Sequence, residues 1–145
     1  MIALTSIRST LQDAIEADAT LGSYEVLLDD GYQHDEIEAA LRDDGVVIII
    51  TPFITVAPKQ QEAGAMLVEA SFAACISLNP SVNADLTTPL VMDDLLSALM
   101  KVIIGIAPET DNDRYRIDNE GARLVNTDDR GPHKYIVAVT KGALL

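Results

Sequence analysis

Apolar positions alternate with polar or small ones from Ala65 to Leu78. Met66, Val68, Ala70, Phe72, Ala74, Ile76 and Leu78 would share one face of an extended strand, and Glu69, Ser71, Ala73, Cys75 and Ser77 the other. A period of two is what a half-buried strand requires. Asn79-Pro80 stops it, because proline lacks the N–H that a ladder needs. A polar loop is expected next, and then a helix. Thr88 suits the cap, Pro89 the first helical position, and Gly105 the position just past the end. Met92, Leu95, Leu96, Leu99, Ile103 and Ile106 follow helical spacing, with Asp94, Ser97 and Lys101 on the opposite face. A long strand therefore turns into an amphipathic helix that folds back over it, and the rest of the chain is read around this unit.

Upstream, Thr5 or Ser6 suits the cap of a first helix with Ile7, Leu11, Ala14, Ile15 and Ala19 on its apolar stripe, ended by Gly22. Tyr24 to Leu28 reads as a short strand, Asp29-Asp30-Gly31 as a turn, and Asp35 to Arg42 as a short helix with Ile37, Ala40 and Leu41 inward. Val46 to Ile50 is five consecutive β-branched residues, the composition of a strand covered on both faces. The pattern breaks at Thr51-Pro52 and resumes from Phe53 to Val56. Pro58 to Gly64 then reads as a polar connection closing an antiparallel hairpin with the long strand. At strand rise, Ala65 to Leu78 would span about 45 Å. The excess over what a small domain needs predicts an overhanging hairpin that serves as an arm or an oligomer edge.

Downstream, Tyr115 to Ile117 and Ala122 to Val125 flank Asn119-Glu120-Gly121, the signature of a small hairpin. Lys134 to Thr140 is the last expected strand, with Tyr135, Val137 and Val139 on one face. The order predicts an α+β fold in one domain spanning residues 1–145: an antiparallel β-sheet with a long hairpin and helices packed on one face.

Composition narrows the function. The 145 residues are 48% hydrophobic and carry a formal net charge of −13. Such acidity disfavours a grip on nucleic acid or on an anionic membrane surface, both of which rely on Lys and Arg. One cysteine, Cys75, excludes an internal disulfide and a cysteine-rich metal site. No apolar run reaches the length of a membrane span. Met1-Ile2-Ala3-Leu4 does not open a signal peptide, which leads us to expect synthesis in the cytoplasm.

No catalytic constellation emerges. His34 and His133 are the only histidines, fall in expected turns and share no metal-ligand spacing. Asp111, Asp113, Asp118 and Glu120 resemble a calcium loop only superficially, because Tyr115 occupies a ligand position and no glycine follows it. The pairs Asp29-Asp30, Asp43-Asp44, Asp93-Asp94 and Asp128-Asp129 sit in turns or at a helix start, where adjacent carboxylates do not converge. Nucleophile-elbow, phosphate-loop and dinucleotide motifs are missing. Aromatic content of 4% without tryptophan offers no stacking platform for bases. Arg114, Arg116 and Arg123 form the one local basic group, read as pairing with nearby carboxylates or a neighbouring subunit. The expectation is no enzyme, with no catalytic, cofactor-binding or metal-ligating residues and no cofactor.

The segment Ile76-Ser77-Leu78-Asn79-Pro80-Ser81-Val82-Asn83, followed by a helix from Val91 to Gly105, carries a resemblance. It is similar to tail-terminator and related tail-completion proteins of long-tailed bacteriophages. In that family a first helix and a short second helix precede an apolar strand. A long strand then ends in Asn-Pro, followed by a loop with a further asparagine and a helix. Ala122-Arg123-Leu124-Val125, a turn and Tyr135 to Val139 are similar to the family's closing strands. The family often has an acidic residue before Asn-Pro and a basic one after the second asparagine. This chain has Leu78 and Ala84 there, so the roles of those charges do not carry over. The resemblance implies a structural virion protein, forming a hexameric ring that caps the tail tube. Its partners would be further copies of itself, the tail tube protein and the head–tail connector protein. Genomic DNA would pass through without specific binding and no membrane would be involved; an acidic lumen lets like-charged DNA slide. Its place would be the tail or neck of the virion, after synthesis in the host cytoplasm. Two alternatives stand beside this: another head–tail connector or tail or baseplate component, and a non-viral α+β binding module.

Overall fold

One six-stranded sheet, with a parallel pair at one end and antiparallel neighbours elsewhere, is built around the long alternating segment. A computed structural model describes residues 2–62, 64–108, 114–126 and 132–145. The strands are β1 (Glu25–Leu28), β2 (Val46–Ile50), β3 (Thr55–Glu62), β4 (Ala65–Leu78), β5 (Arg116–Asn126) and β6 (His133–Leu144). The helices are α1 (Ile7–Glu16), α2 (His34–Asp43), α3 (Pro80–Ala84) and α4 (Met92–Gly105). The strand order is β1-β2-β4-β6-β5, and β3 pairs with the first half of β4 on the same edge that β2 takes along the second half. The class is α+β with a mostly antiparallel sheet, as the sequence pattern predicts.

The alternation of β4 divides its neighbours between two layers. Val68, Ala70, Phe72, Ala74, Ile76 and Leu78 enter the larger core with Ile7, Leu11 and Ile15 of α1 and Leu95, Leu99 and Ile103 of α4. Phe53 meets Phe72 edge to face at 5.8 Å, a geometry that aromatic quadrupoles favour. Ala73 and Cys75 enter a smaller core on the other face with Leu27, Val47, Ile49 and Ala40 of α2. The five β-branched residues of β2 are all buried because helices lie over both their faces.

Several elements depart from the sequence expectation. The helices do not share one face: α1 and α4 lie on one side, while the short α2 crosses the other. It does so because β1 and β2 run parallel, and a parallel pair needs a crossover element between its strands. Pro58 to Glu62 belongs to β3 rather than to a loop, so the connection shrinks to a turn about Gly64. Tyr115 to Val125 forms no hairpin. Its two halves run in the same direction along β6, Ile117 opposite Val139 and Ala122 opposite Val137, with the intervening residues bulged out at Gly121, φ +61°. Both halves find partners on one continuous twelve-residue strand, which leaves none for each other. The segment after Asn79 is a short helix, and α4 starts at Met92 rather than at Pro89.

Candidate functional site

The Asn-Pro segment that carries the family resemblance is a brace between layers. Proline occupies the first turn of α3, where its missing N–H costs nothing. The Asn79 side chain accepts from the Ser81 N–H at 3.1 Å and donates to the Leu41 carbonyl of α2 at 3.2 Å. Asn83 closes the following loop with both ends of its amide, donating to the Leu90 carbonyl at 2.9 Å and accepting from the Leu90 N–H at 2.7 Å. That closure holds Thr88 and Pro89 in the loop, and Asp93 and Asp94 then supply the negative charge that a helix start favours. Gly45 completes the brace: its φ is +77°, and a Cβ there would stand 3.0 Å from Val82.

Arg8 performs the same task at the far end of β1 and β2. Its guanidinium donates to the Asp29 and Ile50 carbonyls at 2.9 and 3.1 Å and pairs with Asp30 at 3.2 Å. These contacts pin α1 across the ends of the parallel strands.

A third cluster lies on the face opposite α1 and α4. Glu69 of β4 meets Lys59 of β3 at 3.1 Å and Arg116 of β5 at 2.8 Å. The Lys59 ammonium holds the Glu69 carboxyl below the ordinary carboxylate range, partial burial opposes this, and Arg116 adds to the lowering. The pairing expected for Arg116 is therefore present. Arg114 and Arg123 are exposed, and Arg123 sits opposite Ile136 in the register. The sequence marks Glu69 as outward, but only the register brings three strands' charges together.

Cys75 is 2% exposed, and burial pushes its thiol up, with Lys134 opposing; it is a packed residue of the smaller core. The histidines are not in turns. His34 opens α2 and pairs with Glu38 at 3.3 Å, and His133 opens β6. Asp118 and Glu120 are exposed in the β5 bulge, while Asp111, Asp113, Asp128 and Asp129 lie outside the described residues. No cluster of three metal-ligating side chains occurs among the described residues.

Recesses open to solvent lie among the described residues. One, of about 270 Å³, is lined by Glu25, Glu36, Asp43 and Asp44 with Ala39 and Ala40 between α2 and the sheet edge. Another, of about 370 Å³, runs between α4 and β5 along Leu96, Met100, Ile104 and Ile117 with Asp93 and Lys101 at its rim. Neither brings a nucleophile, a base and an orienting group within reach of one another. What these side chains do chemically is brace strands and present charge. Among the described residues no helix is long and apolar enough to cross a membrane. The chain matches none of the models of known protein families and none of the curated proteins.

Proposed function

We propose that this chain is a structural virion protein of the tail-terminator kind. It forms a ring, hexameric by the resemblance, that caps the tail tube and joins it to the head connector while DNA passes through the lumen. The observation that carries the reading is the exposed edge strand β3. Every residue from Ile54 to Gln61 is exposed, and Ile54 and Val56 are 69% and 40% accessible. Behind it β4 is paired with β6 from Leu67 onward and Val68 and Ala70 are buried, so the hairpin lies within the sheet and the overhanging arm expected from its length does not form; the uncovered side chains of β3 are a contact element for another chain.

The strand edges support assembly that waits for a template. Edge strands invite uncontrolled pairing unless they are short, bulged or interrupted by proline and charge. Here β1 has four residues, β3 carries Pro58 with a register shift beside Lys59, and β5 is bulged at Asp118 to Gly121. A lone copy is thereby protected from strand pairing, and contacts fall to the exposed side chains of β3 and the sheet faces. The self-contacts close a ring, the tube protein and the connector meet its two ends, and the charge of −13 keeps DNA from sticking in the channel.

A cryo-EM map of the neck of the particle that carries this chain tests the reading. Copies arranged as a ring between tail tube and connector are the expected result. Finding the chain only at the distal baseplate, or nowhere in the particle, refutes it.

A further inference from the structure

We infer that the turn carrying Tyr32 seats its aromatic ring in the groove between α4 and β5 of a second copy of this chain. The inference rests on the ring reading for the identity of the occupant and names two surfaces by which neighbouring copies touch.

Helix α4 carries two apolar rows. Leu95, Leu99 and Ile103 are buried in the core, and Leu96, Met100 and Ile104 each follow one position later. A surface helix ordinarily has one apolar stripe and polar residues on the face away from it. Here the second row stays partly uncovered, with Ile104 at 55%, and together with Ile117 of β5 it lines the groove of about 370 Å³. Asp93 and Lys101 stand at its rim, about 12 Å apart along the helix axis. Lys101 is exposed and forms no ion pair among the described residues.

Tyr32 is 77% exposed, more than any other large apolar side chain among the described residues. Its turn is held rigidly. The buried Gln33 side chain accepts from the Asp30 and Tyr32 N–H groups at 2.9 and 3.2 Å, and the Asp29 carboxylate accepts from the Gly31 N–H at 2.9 Å. Gly31, at φ +93°, shapes the turn, and Arg8 ties Asp30 to α1. A segment already ordered before it binds loses little freedom on binding. Tyrosine suits such a place, because its hydroxyl tolerates water in the free copy while its ring buries about 150–250 Å² when covered.

Charge and position select the occupant. Asp29, Asp30, Asp35 and Glu36 lie within four residues of Tyr32, and Arg8 offsets only Asp30, so the turn is acidic. That complements Lys101, and the Tyr32 hydroxyl is a donor that the Asp93 carboxylate can accept from. The turn follows β1 and the groove borders β5, at opposite ends of the strand order, so a copy cannot fill its own groove. Contact between unlike surfaces repeats from copy to copy and closes when the rotation permits. One such anchor buries far less than the roughly 1,200 Å² of a stable pair, whereas each copy in a closed ring is held on two sides.

Replacing Tyr32 with photoreactive benzoylphenylalanine in the full chain tests this. Isotopically light and heavy protein are mixed in concentrated solution at physiological salt, irradiated and mapped by mass spectrometry. The expected result is links from position 32 of one copy to Leu96, Met100, Ile104 or Ile117 of another. Lys101→Glu should lower their yield about tenfold, and Asp35→Lys added to it should recover most of the loss. Ile104→Asp should lower the yield by a similar factor. All three positions are exposed, and circular dichroism checks that each variant folds. Absence of links, links confined to one copy, links mapping elsewhere, or a yield indifferent to Lys101→Glu and Ile104→Asp would overturn the inference. Links from position 32 to a different virion protein, in particles that carry the labelled chain, would overturn the second copy as occupant. A neck ring seen by cryo-EM with Tyr32 outside the groove leaves the ring and removes this contact; the links in a chain missing from the neck do the reverse.

Discussion

Leu99→Ala puts the strand-then-helix unit at the centre of this fold under test. Leu99 is fully buried at the middle of α4, one turn from Leu95 and Ile103, which are buried against the same core. The substitution removes three buried carbons, a transfer loss of about 2.4 kcal/mol at about 0.8 kcal/mol per carbon. Buried neighbours one turn away on either side limit how far the helix can settle into the space. A residual cavity therefore remains and brings the expected loss to about 3–4 kcal/mol. For a chain of this size that corresponds to a fall in Tm of roughly 6–16 °C. Reversible thermal and urea unfolding followed by circular dichroism measures it, with an unchanged denaturant slope showing that the unfolded state is the same. Ile104→Ala is the control: Ile104 is 55% exposed on the other side of α4, and its replacement should cost about 1 kcal/mol or less. A loss at Leu99 below about 1 kcal/mol, or an equal loss at Ile104, would refute the assignment of the buried face.

Asn83→Ala removes both bonds to Leu90 and should cost about 1–2 kcal/mol while raising hydrogen exchange across residues 85–91; unchanged exchange there would dissociate Asn83 from loop closure. Glu69→Gln concerns pH. The folded Glu69 carboxyl lies below its ordinary value of 4.5, so its ionised form contributes stability above that pH and loses the contribution as pH falls through the lowered value. The stability gap between wild type and Glu69→Gln should be under about 1 kcal/mol near neutrality, because the group is a third exposed, and should vanish in acid; a gap that widens in acid contradicts the pairing. Finally, the protein should not retain duplex DNA in a gel-shift assay at micromolar concentration and moderate salt, and retention there would count against an acidic lumen that lets DNA pass.

Local patterns determined a large part of this molecule. The alternation from Ala65 to Leu78 is the strand observed, with Phe72 and Ile76 on the face that meets α4. The β-branched run from Val46 to Ile50 is the doubly covered strand, and Ile7, Leu11 and Ile15 are the buried stripe of α1. These succeed because burial imposes a period of two on a strand and of 3.6 on a helix, and each residue's side is set by its own position. Turn chemistry was less decisive. Asn119-Glu120-Gly121 has the composition of a hairpin turn but becomes a bulge, since a long partner strand satisfied both flanks at once. Thr88-Pro89 has the composition of a helix start, yet Asn83 holds it as loop.

Beyond the antiparallel hairpin of β3 with β4, strand pairing was not legible in the sequence. The parallel match of β1 with β2 sends α2 to the second face, and the register across β3, β4 and β5 joins Lys59, Glu69 and Arg116. Nothing near Glu69 in the chain marks its two partners, 10 and 47 positions away, because register is a property of paired strands and not of any one of them. The same holds for charge: composition supplies only the net charge of −13, and the fold decides that the exposed carboxylates of α2 gather beside β1 and β2.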